Sequence, residues 1–207
     1  EDRVLIQGAL PAGDKPEESE ATVPQPAQWF ATALREAFQR AGITVVGRAV
    51  GVRWPETPRP GGVQLGEIKS KPLRELVADI NKPSQNLKTD LVFNHLGELD
   101  RQADTPAWRQ SDELAVAALD KFLRSAGLAP GGTIFEEGSG LSRNNLTTAA
   151  NTARLLQFMA THRERDAFMA SLPVAGVDGS LKKRMKGTSA EGRVHAKTGT
   201  PVTAMTF

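Results

Sequence analysis

Two short groups of residues in this sequence could do chemistry together. Lys197-Thr198-Gly199 sets a cation beside a hydroxyl and a glycine, and glycine lets a ligand backbone come close. On a strand, Lys197 and Gly199 would point to one face and Thr198 to the other. The hydroxyls of Thr198 and Thr200 could take a carboxylate. The second group, Ser84-Gln85-Asn86, follows Pro83 at a break in helical pattern, where a serine can relay a proton and an asparagine can hold an amide. Each group also has an ordinary reading: a surface strand ending at a glycine turn, and a helix N-cap.

Composition narrows the chemistry. The chain of 207 residues has no cysteine and no tyrosine. That removes thiolates, disulfides, Cys-ligated metals and a phenolic base, and leaves Lys, Asp, Glu or His to move protons. His95, His162 and His195 show no metal-ligand spacing and so point to no metal site; no cofactor is expected. His195 would share a strand face with Lys197, whereas His95 and His162 are expected at helix ends. A net charge of +2 with scattered basic residues gives no nucleic-acid footprint. No apolar run approaches the roughly 18 residues that span a bilayer. With 39% hydrophobic and 24% charged residues, the chain has the composition of a folded protein.

The elements that must position these groups follow from periodicity. Trp29, Phe30, Ala33, Leu34, Ala37 and Phe38 predict a helix from Pro26 to Gly42. Val4–Ile6, Ile43–Trp54 and Val63–Ile68 are apolar or β-branched and predict strands. Helices are predicted over Leu73–Ile80 and Leu87–Leu96, on either side of the Asn81–Asn86 break, and over Asp112–Ala126. A short strand is predicted at Thr133–Phe135. Thr147 or Thr148 should cap a helix ending near His162, with a shorter helix following to Leu172. Residues 173–192 read as loop and Arg193–Thr198 as a strand. Trp29, Trp54 and Trp108 are expected as core or loop anchors.

Four blocks of text go further. LRELVADINKPSQNLKTDLVFNHLG, FEEGSGLSRNNLTTAANTARLLQFM, LPVAGVDGSLKKRM and GRVHAKTGT resemble, in order, the low-molecular-weight class C penicillin-binding proteins. These are D-alanyl-D-alanine carboxypeptidases/endopeptidases, and the likeness covers most of residues 26–207. It implies an α/β (α+β) fold, a partial penicillin-binding-protein or serine β-lactamase-like transpeptidase domain with a helical cluster against an antiparallel sheet. It implies catalytic roles for Ser84, Asn86 and Lys197: proton shuttle, amide holder and electropositive donor. Thr198, Gly199, Thr200, Leu141 and Arg143 would bind substrate, with the Thr200 N–H as half of an oxyanion hole. Glu137 stands where the family often has Asp.

By the same resemblance, the partners would be peptidoglycan stem peptides and β-lactams in the bacterial periplasm. Residues 1–20 would be the tail of an inserted domain and a linker, and residues 21–207 a peptidase domain truncated at both ends. The family's nucleophile lies in a Ser-x-x-Lys motif upstream of Ser-x-Asn, and nothing before Ser84 fits that pattern. Ser180-Leu181-Lys182-Lys183 matches the spelling but falls in a block that is structural connection in the family. The isolated chain is therefore expected to be inactive. Two rivals remain: a non-catalytic binding module of the same fold, and a compact enzyme using Ser180 and Lys183.

Overall fold

Proline at the first helical position opens α1 (Pro26–Arg40), where its missing N–H costs nothing. The computed structural model describes residues 7–9, 11–13, 22–52, 61–129 and 131–199, within two compact units, Glu1–Leu65 and Gly66–Phe207. In the first unit, one side chain of α1 holds the segment that follows. The Gln28 amide donates from Nε2 to Ala49 O (3.1 Å) and accepts at Oε1 from Gly51 N (2.8 Å). A primary amide thus takes the place of a strand edge.

Several predicted strands are corrected by this architecture. Residues 43–52 of the predicted Ile43–Trp54 strand lie in no strand, and Val63–Ile68 forms none either. Leu65 and Ile68 are 92% and 100% exposed, so their alternation has no buried face to serve. Val4–Ile6 and Trp54 fall outside the described residues. Trp29 and Trp108 are exposed rather than anchored in a core.

The second unit is mostly helical: α2 (Leu73–Asn81), α3 (Asn86–Asp100), α4 (Ser111–Ser125), α5 (Ala149–Thr161) and α6 (Arg165–Ser171), with a 3₁₀ turn at Gly179–Leu181. One small antiparallel pair, β1 (Thr133–Ile134) and β2 (Leu146–Thr147), sets Thr133 opposite Thr147 and Ile134 opposite Leu146. The expected α/β layering is therefore, among the described residues, a helical cluster with a two-stranded sheet. β2 was not foreseen, because two residues carry no readable alternation. Thr148 caps α5 as predicted, its side chain accepting from Asn151 N (3.1 Å). Among the described residues no helix is long and apolar enough to cross a membrane.

Packing is dominated by α3 against α4, followed by α2 against α6. Phe93, Leu114, Ala115 and Leu123 are buried in the first pairing. Gly97 makes it possible: a Cβ there would lie 1.8 Å from Ser111 O and 2.8 Å from Ala115 N. The helix therefore runs through Gly97 to Asp100 instead of stopping near Leu96, and His95 lies inside α3 rather than at its end. Glu98 locks the crossing, taking the Arg101 guanidinium at 2.8 Å and the Ser111 hydroxyl at 2.5 Å. Those bonds, that from Arg101 foremost, bring its carboxyl down to a pKa of about 2. Phe122 of α4 meets Phe158 of α5 edge-on at 5.8 Å, and Phe158 lies 5.2 Å from the His162 ring.

Gly97→Ala is expected to force α3 and α4 apart and lower the unfolding free energy by about 3 kcal/mol. Urea unfolding followed by circular dichroism reads this directly. A midpoint equal to that of the parent chain would contradict the tight crossing.

Candidate active site

Pro83 follows the last turn of α2, and the chain reverses through Lys82–Ser84 into α3. Ser84 sits at φ 65°, a left-handed conformation that is strained for a residue with a side chain. Neither Ser84 nor Asn86 caps α3. The capping position is Gln85, without a side-chain bond, and Asn86 is the first helical residue. The turn is tethered on both sides. Asn81 Nδ2 donates to Ser171 Oγ at the end of α6 (2.9 Å). Lys82 Nζ donates to Leu172 O (3.1 Å) and to Asp178 Oδ2 (2.5 Å). That ammonium, above all, pulls the Asp178 pKa below its ordinary value.

The backbone carbonyl of Lys82 accepts from Ser180 N at 2.9 Å. Gly179, at φ 56°, allows this approach, since a Cβ there would come within 2.7 Å of Lys82 O. The 173–175 segment in turn holds residues 194–196. Ala175 N donates to Val194 O (2.9 Å), Ala196 N to Pro173 O (3.0 Å), and Val174 bridges His195 in antiparallel fashion. The predicted Arg193–Thr198 strand is thus one bridge and an extended tail. His195 turns away, with Nδ1 3.2 Å from Met169 O.

This framework brings both motifs to one cleft of about 710 Å³, lined among others by Ser84, Asn86, Leu141, Ser180, Lys197, Thr198 and Gly199. Lys197 Nζ donates to Ser84 Oγ at 2.7 Å across 113 positions of sequence, and to Thr198 O at 2.7 Å. Lys197 is exposed as a residue, but its ammonium end loses part of its water, and that desolvation lowers its pKa. Flat-strand alternation fails here, since Lys197 and Thr198 both border the cleft. Arg143 is exposed and outside the lining set. Thr200 lies outside the described residues. Among the described residues no cluster of His, Asp or Glu could hold a metal ion.

Two contributors, Lys82 and Asp178, escaped the sequence reading, and two residues it named, Ser180 and Glu137, take other roles than those it gave them. Lys82 and Asp178 act only through contacts between distant segments. Ser180, read above as connection, lines the cleft and shares a 2.7 Å hydrogen bond with Thr198 Oγ1. No hydrogen bond joins it to Lys183, which is exposed, so Ser180-x-x-Lys183 is not an activated pair. Glu137 organises the loop carrying Leu141. Its carboxylate accepts from Ser139 N (2.6 Å), Gly140 N (2.8 Å), Ser142 N (3.1 Å), the Ser139 hydroxyl and the Asn145 amide. Asp90 of α3 ties the loop down by accepting from Gly138 N at 3.0 Å. The run of glycine and serine after Glu137 is the signal that could have revealed this carboxylate-centred loop.

Comparison with known proteins places the chain among relatives. The family described as "D-Ala-D-Ala carboxypeptidase 3 (S13)" matches residues 1–206. A D-alanyl-D-alanine carboxypeptidase of Actinomadura sp. (strain R39) is 33% identical over 95% of this chain and 36% of its own length. The carboxypeptidase DacB of Haemophilus influenzae is 29% identical over 88% of this chain and 36% of its own. The solved structure of penicillin binding protein 4 from H. influenzae, complexed with a β-lactam, superposes with a TM-score of 0.71. It is 28% identical and covers 87% of this chain and 40% of its own. The chain thus spans about a third of the length of the curated relatives it matches.

Burial raises the Glu137 pKa, but the bonds from the Ser139 side chain and from the Ser142, Ser139 and Gly140 amides prevail and bring it from 4.5 to about 2. A depressed carboxyl stabilises the fold above its unfolded pKa, and that contribution disappears as pH falls through the folded value. Glu137→Gln is therefore expected to be less stable than the parent at pH 7, the gap closing between 4.5 and about 2. Urea midpoints across that range test it; a pH-independent gap would contradict it.

Proposed function

The chain belongs to the D-Ala-D-Ala carboxypeptidase 3 (S13) family, and from that membership we propose that it is the substrate-binding part of a serine D-alanyl-D-alanine carboxypeptidase/endopeptidase. The full-length protein would cleave peptidoglycan stem peptides in the periplasm through an acyl-enzyme, and β-lactams would acylate it. The fold proposed for the whole domain is the α/β transpeptidase architecture, of which this chain holds the helical cluster.

The observation that carries the reading is the 2.7 Å bond from Lys197 Nζ to Ser84 Oγ. It joins the two motifs, and it fits a proton path in which Ser84 passes a proton to the leaving amine under the field of the Lys197 ammonium. Asn86, at the first position of α3, would hold the substrate amide. Thr198 and Thr200 would bind the terminal carboxylate, with Gly199 keeping the backbone accessible. The Thr200 N–H would contribute to an oxyanion hole, a donor worth about 3 kcal/mol in the transition state. Leu141 borders the cleft, and Arg143 is proposed to act at its rim.

The attacking serine and its lysine are proposed to come from a Ser-x-x-Lys segment outside these residues. No such motif precedes Ser84 in this sequence, and Ser180 is engaged with Thr198. A labelled penicillin should accordingly leave the isolated chain unlabelled and acylate the full-length protein. Covalent labelling of the isolated chain would overturn the placement of the nucleophile. A full-length protein that neither binds penicillin nor releases D-Ala would overturn the peptidase reading.

A further inference from the structure

We propose that Ser180 is a positioning residue that orients the Thr198 hydroxyl toward an anionic substrate terminus; this rests on the peptidase reading above. The Ser180 and Thr198 hydroxyls lie 2.7 Å apart, and either can donate to the other. Both side chains border the cleft that holds Ser84 and Lys197. A hydroxyl has one proton. When the Thr198 O–H donates to a carboxylate, its oxygen is left to accept, and Ser180 is the donor within reach. The pair then forms a chain, Ser180 O–H to Thr198 Oγ1 and Thr198 O–H to the anion. Each bond polarises the next, so the second donor strengthens the first. With no carboxylate bound, the pair can reverse, and nothing fixes the Thr198 proton toward the cleft.

The backbone holds Ser180 in place for this task. Its N–H is bound to Lys82 O at 2.9 Å, and the residue before it is a glycine at φ 56° that no side chain would fit beneath Lys82 O. The hydroxyl is thus carried on a rigid turn that is itself tied to the Ser84 turn. The residue is exposed, so loss of its hydroxyl leaves no cavity. Lys183, three residues on, makes no bond to it, which separates this role from that of a nucleophile.

The test is steady-state hydrolysis by the full-length protein that carries these residues, with two substrates. One is a D-Ala-D-Ala peptide with a free terminal carboxylate; the other is the same peptide with that carboxylate amidated. Ser180→Ala should raise KM for the free acid about three- to tenfold, the reach of one neutral hydrogen bond, with kcat within about twofold. On the amide it should change neither constant, and Ser180→Thr should restore the KM for the acid. Equal losses on both substrates, or no loss on the acid, would refute the positioning role while leaving the peptidase reading standing. Absence of turnover of the free-acid peptide by the unmutated protein would instead sink the peptidase reading, and this inference with it.

Discussion

Lys82 holds the second unit's site together through three contacts made by two of its atoms. Its ammonium bridges Leu172 O and Asp178, and its carbonyl receives the Ser180 N–H. The side chains of Lys82 and Asp178 are 28% and 38% exposed, so water screens their contact less than it would a pair standing free on the surface. This one residue fixes the 172–180 segment against the α2–α3 turn. Because Pro173 and Ala175 hold Ala196 and Val194 in turn, it also fixes Lys197 against Ser84. Two residues 113 positions apart share a hydrogen bond because one lysine between α2 and Ser84 gives them a common frame.

The site is built against local preference and with its charges sorted. Ser84 occupies a left-handed conformation that costs about 1–2 kcal/mol for a non-glycine residue. The surrounding bonds sustain that cost, and the side chain is thereby delivered to Lys197. On the other wall, the Glu137 carboxylate is consumed by backbone amides and side-chain donors behind its loop. It does not line the cleft. The cleft therefore offers an ammonium and hydroxyls and has no carboxylate in its lining among the described residues, an arrangement suited to an anionic ligand.

The helices were legible because periodicity reports which face is buried, and α2, α4, α5 and α6 follow it closely. The helix break at Pro83–Ser84 was legible too, since proline and a short polar run mark it locally. The strands were not. Ile43–Trp54 and Val63–Ile68 have strand-like composition, but a strand exists only with a partner, and residues 49–51 found theirs in the side chain of Gln28. Gly97 reads as a stop in isolation and becomes a contact surface once α4 lies on it. The motif residues Ser84, Asn86, Lys197 and Thr198 could be named from their types. Lys82 and Asp178 could not, nor could the roles of Ser180 and Glu137, since their chemistry arises from who faces them. Ser180 shows the hazard: a spelling match suggested a nucleophile, and its neighbour in space assigns it differently.

Both walls of the cleft are tied to the N-terminal end of α3. Asn86 begins the helix beside Ser84, and Asp90, four residues on, anchors the Gly138–Leu141 loop. Four residues of α-helix advance about 6 Å. The gap between the walls is thus measured by the helix itself, as by a ruler, while Gly97 keeps that ruler pressed to α4. Side chains on either wall can be exchanged without changing the spacing, so the identity of the ligand can drift in such a scaffold while the width of its slot stays constant.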